Sequence, residues 1–354
     1  MPDDVFKDLL VVELAGVLAG PSVGMFFAEL GARVVKIENR KTDGDITRKW
    51  KVGTEPPENA VSAYYSSVNF YKEVVMADLT NEEDREEVLG FIRHADIVIA
   101  NYKLGSAEKL GMDYASLKKL NPGLIYGSVE GLGSGDNRAA FDVVLQAETG
   151  FISMTGTVDG DYAKMPVALI DLLAAHQLKE GILVGLIRKG TSGKGCLVRV
   201  SLLESGLASL ANQATNWLMA GHLPQKMGTK HPNIAPYGDL FETGDGQKFV
   251  LSVGTEKQWL ALADLFDIPK KYRGMSNDER VAKRAEIAIV CQKAFVKFPS
   301  DDLWKLLESK GIPYGRVLTV DEALSAPAAQ NMIIEEMQEG VLKRGLKSVV
   351  FSIE

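Results

Sequence analysis

Cysteine is scarce: Cys196 and Cys291 are the two in 354 residues, and histidine numbers four. Two thiols cannot build a disulfide framework or a four-thiolate metal site, so a reducing compartment is the default and no bound metal is expected. An excess of positive charge is also missing. Forty Lys and Arg face 47 Asp and Glu, a net charge of −7. The acidic excess is spread along the chain, and nucleic acid is not an expected partner. No apolar run approaches the ~18 residues of a membrane span. Met1-Pro2-Asp3-Asp4 lacks the positive-then-apolar pattern of an export signal. A soluble cytoplasmic protein without membrane contact is expected. What is present is ordinary globular composition, 46% hydrophobic and 25% charged, enough for a large core and, at roughly 150 residues per domain, about two domains.

Along the first half, short β-rich runs alternate with helix-length segments, the rhythm of a parallel sheet with crossover helices. Leu9 to Leu14 reads as a strand, Gly16 to Pro21 as a turn, and Pro21 suits the first turn of a helix because its missing N–H has no intrahelical partner there. That helix would turn Val23, Phe26, Phe27 and Leu30 inward and end at Gly31, with Val34 to Glu38 as the next strand. Val74 to Ala77, Ile97 to Ala100 and Leu124 to Val129 read as further strands, with a charged helix from about Asn81 to His94. A long helix is expected from Asp171 to about Lys189, then a strand from Leu197 to Val200 and a helix reaching about Ala220. Gly221 to Gly238, rich in proline and glycine, reads as a connector. A hairpin over Leu240 to Val253 follows, then helices around Gln258 to Leu265, Asp278 to Phe298 and Asp301 to Lys310.

Glu38 closes the second strand some way after a glycine pair, where a nicotinamide enzyme would bind ribose hydroxyls. The turn itself argues against that reading. Gly16-Val17-Leu18-Ala19-Gly20-Pro21 is Gly-x-x-x-Gly and lacks the three-glycine fingerprint. Asp171, after the apolar Val167 to Ile170, stands at a helix N-terminus, where free N–H groups and the positive dipole end favour an anion by ~0.3–1 kcal/mol. On the residues alone, Asp171 is either a helix N-cap or a reactive carboxylate.

Several motifs recur in fixed order. Ala19-Gly20-Pro21 follows a strand, Lys36-Ile37-Glu38 ends the next, and Gly44-Asp45-x-Thr47-Arg48-x-Trp50 comes after it. Asn101-Tyr102, Phe141-Asp142-x-x-x-Gln146-Ala147-x-x-Gly150 and Gly228-x-x-His231-Pro232-x-x-x-Pro236-Tyr237 complete the set. From about Leu9 to Val320 this order resembles the class III coenzyme A transferases, the family of formyl-CoA transferase and of carnitine- and succinyl-CoA-dependent enzymes.

The resemblance implies that Asp171 is the catalytic carboxylate. It would move CoA from an acyl-CoA donor to a carboxylic acid through a covalent aspartyl-CoA thioester, with acyl-CoA as substrate and no tightly bound cofactor. It implies CoA contacts from the backbone of Val17, Leu18 and Ala19, from Asn101 and Tyr102, from Lys109 and, as a looser match, from Arg40. Arg48, Trp50 and Gln146 are assigned to the substrate rim. The stretches Leu203-Glu204-Ser205 and Ala211-Asn212-Gln213 are similar to members using dicarboxylic acyl-CoAs. Leu18 stands where formyl-CoA transferase has a glutamine, so an oxalate-type acceptor is not expected, and Glu130 stands where some relatives carry a lysine near CoA.

Two alternatives remain open on these residues. An α-methylacyl-CoA racemase-type isomerase would share the fold but needs an acid/base pair, and Phe141-Asp142 occupies the place of its His-Asp. A catalytically silent acyl-CoA-binding subunit is the other. The implied architecture is α/β: a large Rossmann-like domain of mostly parallel sheet (1–205 and 320–354), a connector (206–238) and a smaller α+β domain (239–319). The resemblance also implies an interlocked, ring-like homodimer.

Overall fold

Leu10–Glu13 (β1) is the strand around which the sheet is built, and Val11 and Val12 are sealed from solvent on both of its faces. In the computed structural model, which describes residues 5–133, 136 and 138–353, five further strands join it. They are Arg33–Asn39 (β2), Glu73–Ala77 (β3), Ile97–Ala100 (β4), Ile125–Glu130 (β5) and Cys196–Ser201 (β6), in the order β3-β2-β1-β4-β5-β6 and parallel throughout. Continuous apolar runs such as Ile97-Val98-Ile99-Ala100 suit strands buried on both faces. One face carries a core of Val23, Phe27, Leu178 and Ile182 from the helices Ala19–Glu29 and Leu169–Ser192. The other is covered by Val88 and Ile92 of the helix Glu82–His94 and by Leu117.

The order reverses between β1 and β4, one chain segment leaving β1 toward β2 and a later one returning beside it. In open α/β sheets, ligands bind at such a switch point, beyond the carboxyl ends of the strands. Close packing there depends on small residues. A Cβ on Gly20 would run into Ala15, and one on Gly24 into the buried Glu13 carboxylate.

The chain divides into two compact units, 1–151 with 164–222 and 330–354, and 152–163 with 223–329. The second unit has its own core of Phe249, Trp259, Phe295 and Leu303. Its sheet is the antiparallel set Tyr237–Glu242 (β7), Lys248–Ser252 (β8) and Tyr314–Arg316 (β9), so the expected hairpin gains a third strand. In the first unit, Ile333–Gln338 (β10) and Val341–Leu346 (β11) form a hairpin absent from the sequence reading. Lys343 of β11 is buried and donates to the Asn69 carbonyl.

Other expectations change at the boundaries. Irregular backbone runs only over 221–236, because 206–220 is largely helical. The helix expected to reach Ala220 is two, Leu202–Ala208 and Asn212–Ala220, broken where Ala211 takes a positive φ of 48°. That over 278–298 is also two, Asn277–Ala282 and Arg284–Phe295. Among the described residues, no helix is long and apolar enough to cross a membrane.

Candidate active site

Beyond the end of β1 the chain must turn sharply to start the helix Ala19–Glu29, and Val17 does so in the left-handed region, at φ 72°. A β-branched residue is strained there. Neighbours hold it: Val17 N–H donates to Asp45 Oδ2 at 3.1 Å. The Asn101 amide brackets Gly16, accepting from its N–H at 3.1 Å and donating to its carbonyl at 2.8 Å. This turn, the end of β4 and the start of the helix Leu169–Ser192 enclose a cleft of about 670 Å³, whose walls bring together Val17, Leu18, Ala19, Asn101, Tyr102 and Asp171. A second cavity of about 330 Å³, over the ends of β1, β2 and β3, shares Gly16, Val17 and Tyr102 with the first.

Asp171 occupies the third position of its helix, and Ala168 is the N-cap, so the N-cap reading is set aside. Its residue is 8% exposed, and among the described residues its carboxylate receives no hydrogen bond. Burial pushes the carboxyl up to about 7, with the nearby Asp142 charge adding to the effect. The expectation that the helix end would keep it readily ionised is therefore corrected. The dipole is worth ~0.3–1 kcal/mol, less than the ~1.4 kcal/mol of a single tenfold step in ionisation, and desolvation outweighs it.

Asp142 sets where that helix begins. Its Oδ1 accepts the Ile170 N–H at 2.7 Å, and its Oδ2 accepts from Gln146 Nε2 at 2.6 Å. Gln146 Oε1 in turn accepts the Met165 N–H at 2.8 Å. Asp142 and Gln146, one helical turn apart, thus pin the irregular segment that leads into the helix of Asp171.

Five assigned side chains do not line the cleft. Gln146 is wholly buried in the contacts just described, and so is not on a rim. Arg48 is buried as well: its guanidinium meets Glu38 at 2.6 Å, donates to the Tyr65 hydroxyl at 3.1 Å, and lies over the Tyr65 ring. Trp50 packs edge-on against Tyr64, with ring centres 5.1 Å apart. Arg40 is exposed and taken up by Asp84 and by the Met76 carbonyl. Lys109 is exposed on the short helix Ser106–Leu110, whose Ala107 and Glu108 reach the cleft wall instead.

Two carboxylates that the sequence placed only in motifs, Glu38 and Asp45, have anchoring roles that it did not reveal. Glu38 accepts from Arg48, from the Tyr65 hydroxyl at 2.7 Å and from Asp45 N–H at 3.0 Å, so its oxygens are committed within the fold. Asp45 caps the turn Ile46–Lys49 through Thr47. The Asp-x-Thr spacing is a capping signal that could have marked it, whereas its reach to Val17 is visible only once β1 and β2 are paired.

The chain matches the model of the CoA-transferase family III over residues 6–351. It is 35% identical to a succinate–glutarate CoA-transferase of Agrobacterium fabrum, over 96% of this chain and 87% of that one. It is 34% identical to an acetyl-CoA:oxalate CoA-transferase of Acetobacter aceti, over 94% and 86%. The crystal structure of a CAIB/BAIF family protein from Brucella suis superposes with a TM-score of 0.83 at 35% identity, covering 99% of this chain and 93% of that one. Sheet order, switch-point cleft and these relatives agree: the chain belongs to the family III CoA-transferases and is an enzyme that acts on CoA thioesters and carboxylic acids.

Proposed function

We propose that Asp171 is the covalent relay of this transferase. The observation that carries the reading is its carboxyl: set in the cleft wall, nine-tenths buried and unclaimed by any hydrogen bond among the described residues. A carboxylate with a purely architectural role would be spent on capping or pairing, as Glu38 and Asp45 are. Four balanced steps follow. An Asp171 oxygen attacks the donor acyl carbon and the C–S bond breaks, leaving a mixed anhydride and CoA thiolate. The thiolate attacks the Asp171 carbonyl carbon, expelling the donor acid as carboxylate and forming the aspartyl-CoA thioester. The acceptor carboxylate then attacks that thioester, releasing thiolate and making a second anhydride. Thiolate attack on the acceptor carbonyl yields the new acyl-CoA and returns the Asp171 carboxylate. No net proton is exchanged, and the thioester bond energy is conserved.

CoA is long, and two neighbouring cavities that share Gly16, Val17 and Tyr102 in their walls, one over the β2 and β3 ends and one reaching Asp171, support an extended binding course. The Leu18 and Ala19 N–H groups, at a helix N-terminus with no acceptor among the described residues, suit developing negative charge on the acyl oxygen. Among the described lining residues there is no histidine to carry a proton beside the thioester, and Phe141 stands in the wall, which favours transfer over racemisation. The donor and acceptor class we propose is short dicarboxylic acids, as the names of the succinate–glutarate relatives suggest. Trp217, Leu218 and Met219, exposed together on the helix Asn212–Ala220, support a homodimer. Initial rates with succinyl-CoA as donor and a panel of mono- and dicarboxylic acceptors test the reading. Glutarate-sized diacids should be preferred, and Asp171→Ala should abolish transfer while CoA still binds. Transfer retained by that variant would refute it.

A further inference from the structure

Beneath the cleft lies a chain of buried charges that the transfer steps do not use. Glu13 is sealed from solvent and pairs with Lys36 at 2.9 Å and with Lys72 at 2.8 Å. Lys36 also donates to the Ala15 carbonyl at 2.9 Å and meets Asp45 Oδ2 at 3.2 Å. That same Asp45 oxygen accepts the Val17 N–H. A buried ionic cluster contributes little net stability compared with apolar packing of equal volume, so its place under the turn calls for another reason.

We propose that Asp45 is a positioning residue for the transfer reaction, its carboxylate holding the Val17 peptide in the left-handed conformation that sets Leu18 and Ala19 along the cleft opposite Asp171. The inference rests on the reading of that cleft as the acyl-CoA site. Three observations converge on it. Val17 takes φ 72°, which a β-branched side chain resists, so an outside contact must hold it. Asn101 binds the same turn on its other side, accepting the Gly16 N–H and donating to the Gly16 carbonyl, so the peptide that joins Gly16 to Val17 is held at both its C=O and its N–H. Asp45 is itself immobilised from three sides, by Lys36, by Thr47 and by the Glu38 carboxylate on its own N–H. Against the cost of burial, Lys36 holds the Asp45 carboxyl below the usual carboxylate range, so the acceptor stays anionic.

A double-mutant cycle tests this. Glycine adopts a positive φ without penalty, so the need for Asp45 should vanish when Val17 is replaced. Asp45→Ala in the parent enzyme is expected to lower kcat/KM for succinyl-CoA by about tenfold, ~1.4 kcal/mol. In the Val17→Gly background the same replacement should cost about twofold or less. Asp45→Asn keeps the side-chain volume and is read by the same cycle if the alanine variant fails to fold, with a smaller loss in the parent. An equal loss in both backgrounds, or no loss in the parent, overturns the proposal. Hydroxylamine trapping on Asp171 is run alongside in the parent. Turnover without that adduct counts against the relay reading alone, while the cycle still decides Asp45.

Discussion

The Ile170 N–H donates to the Asp142 carboxylate at 2.7 Å, one residue before Asp171. The contact does two things. It fixes the first turn of the helix that carries Asp171, and it sets a second negative charge beside a carboxyl already raised by burial.

The first consequence is a pH profile. As the proposed relay, Asp171 would attack only as the anion, and burial pushes its carboxyl up to about 7. A plot of kcat/KM for acyl-CoA against pH should rise about tenfold per unit below that point and level off above it. A flat profile from pH 5 to 8 would contradict this.

Replacing Asp142 by asparagine removes the neighbouring charge while an amide oxygen can still accept from Ile170. The acidic limb should then move to lower pH. Because Gln146 loses its acceptor, the apparent Tm should also drop, by an amount matching ~1 kcal/mol for one buried hydrogen bond. A limb that stays in place would show that the Asp142 charge does not reach Asp171.

Asp171 should be costly to the fold. A carboxyl raised above its unfolded value of ~3.9 contributes fully to stability below that pH, and the contribution is lost as pH climbs to about 7. Asp171→Asn should therefore exceed the parent in stability at pH 8, by roughly 4 kcal/mol at most, with the gap closing toward pH 5. Calorimetry at the two pH values measures it, and equal gaps would be the contrary result.

Gly24→Ala separates helix propensity from packing. Propensity alone favours alanine inside the helix Ala19–Glu29 by up to ~1 kcal/mol. The added Cβ, however, would collide with the Glu13 carboxylate that pairs with both Lys36 and Lys72. Disturbing a buried ion cluster costs ~3–5 kcal/mol, so the collision should win and thermal unfolding should come earlier. A more stable variant would show that the cluster can shift at little expense.

What the sequence made legible follows the range of the forces involved. β1, its helix and β2 were readable because the Leu10–Glu13 run and Pro21 act locally. Asp171 was singled out by the family resemblance and not by its local sequence, and its helix starts two residues earlier than expected, since Asp142, distant in sequence, satisfies the Ile170 N–H. Arg48 was assigned to the rim through the motif it belongs to, and its local sequence gives no hint of its partners, Glu38 at the end of β2 and Tyr65 on the short helix Ala63–Ser66, which meet it only in the folded chain. The β10–β11 hairpin was missed because glutamates and lysines interrupt its alternation. Its Glu339-Gly340 turn, with both residues at positive φ, was the available sign.

The most direct test of the account is to incubate the enzyme with succinyl-CoA, quench with hydroxylamine, and identify the modified peptide by mass spectrometry. A hydroxamate on Asp171, formed only when the acyl-CoA is present and lost in Asp171→Asn, is the predicted result. Continued CoA transfer with Asp171 unmodified, or with the adduct on another carboxylate, would contradict it.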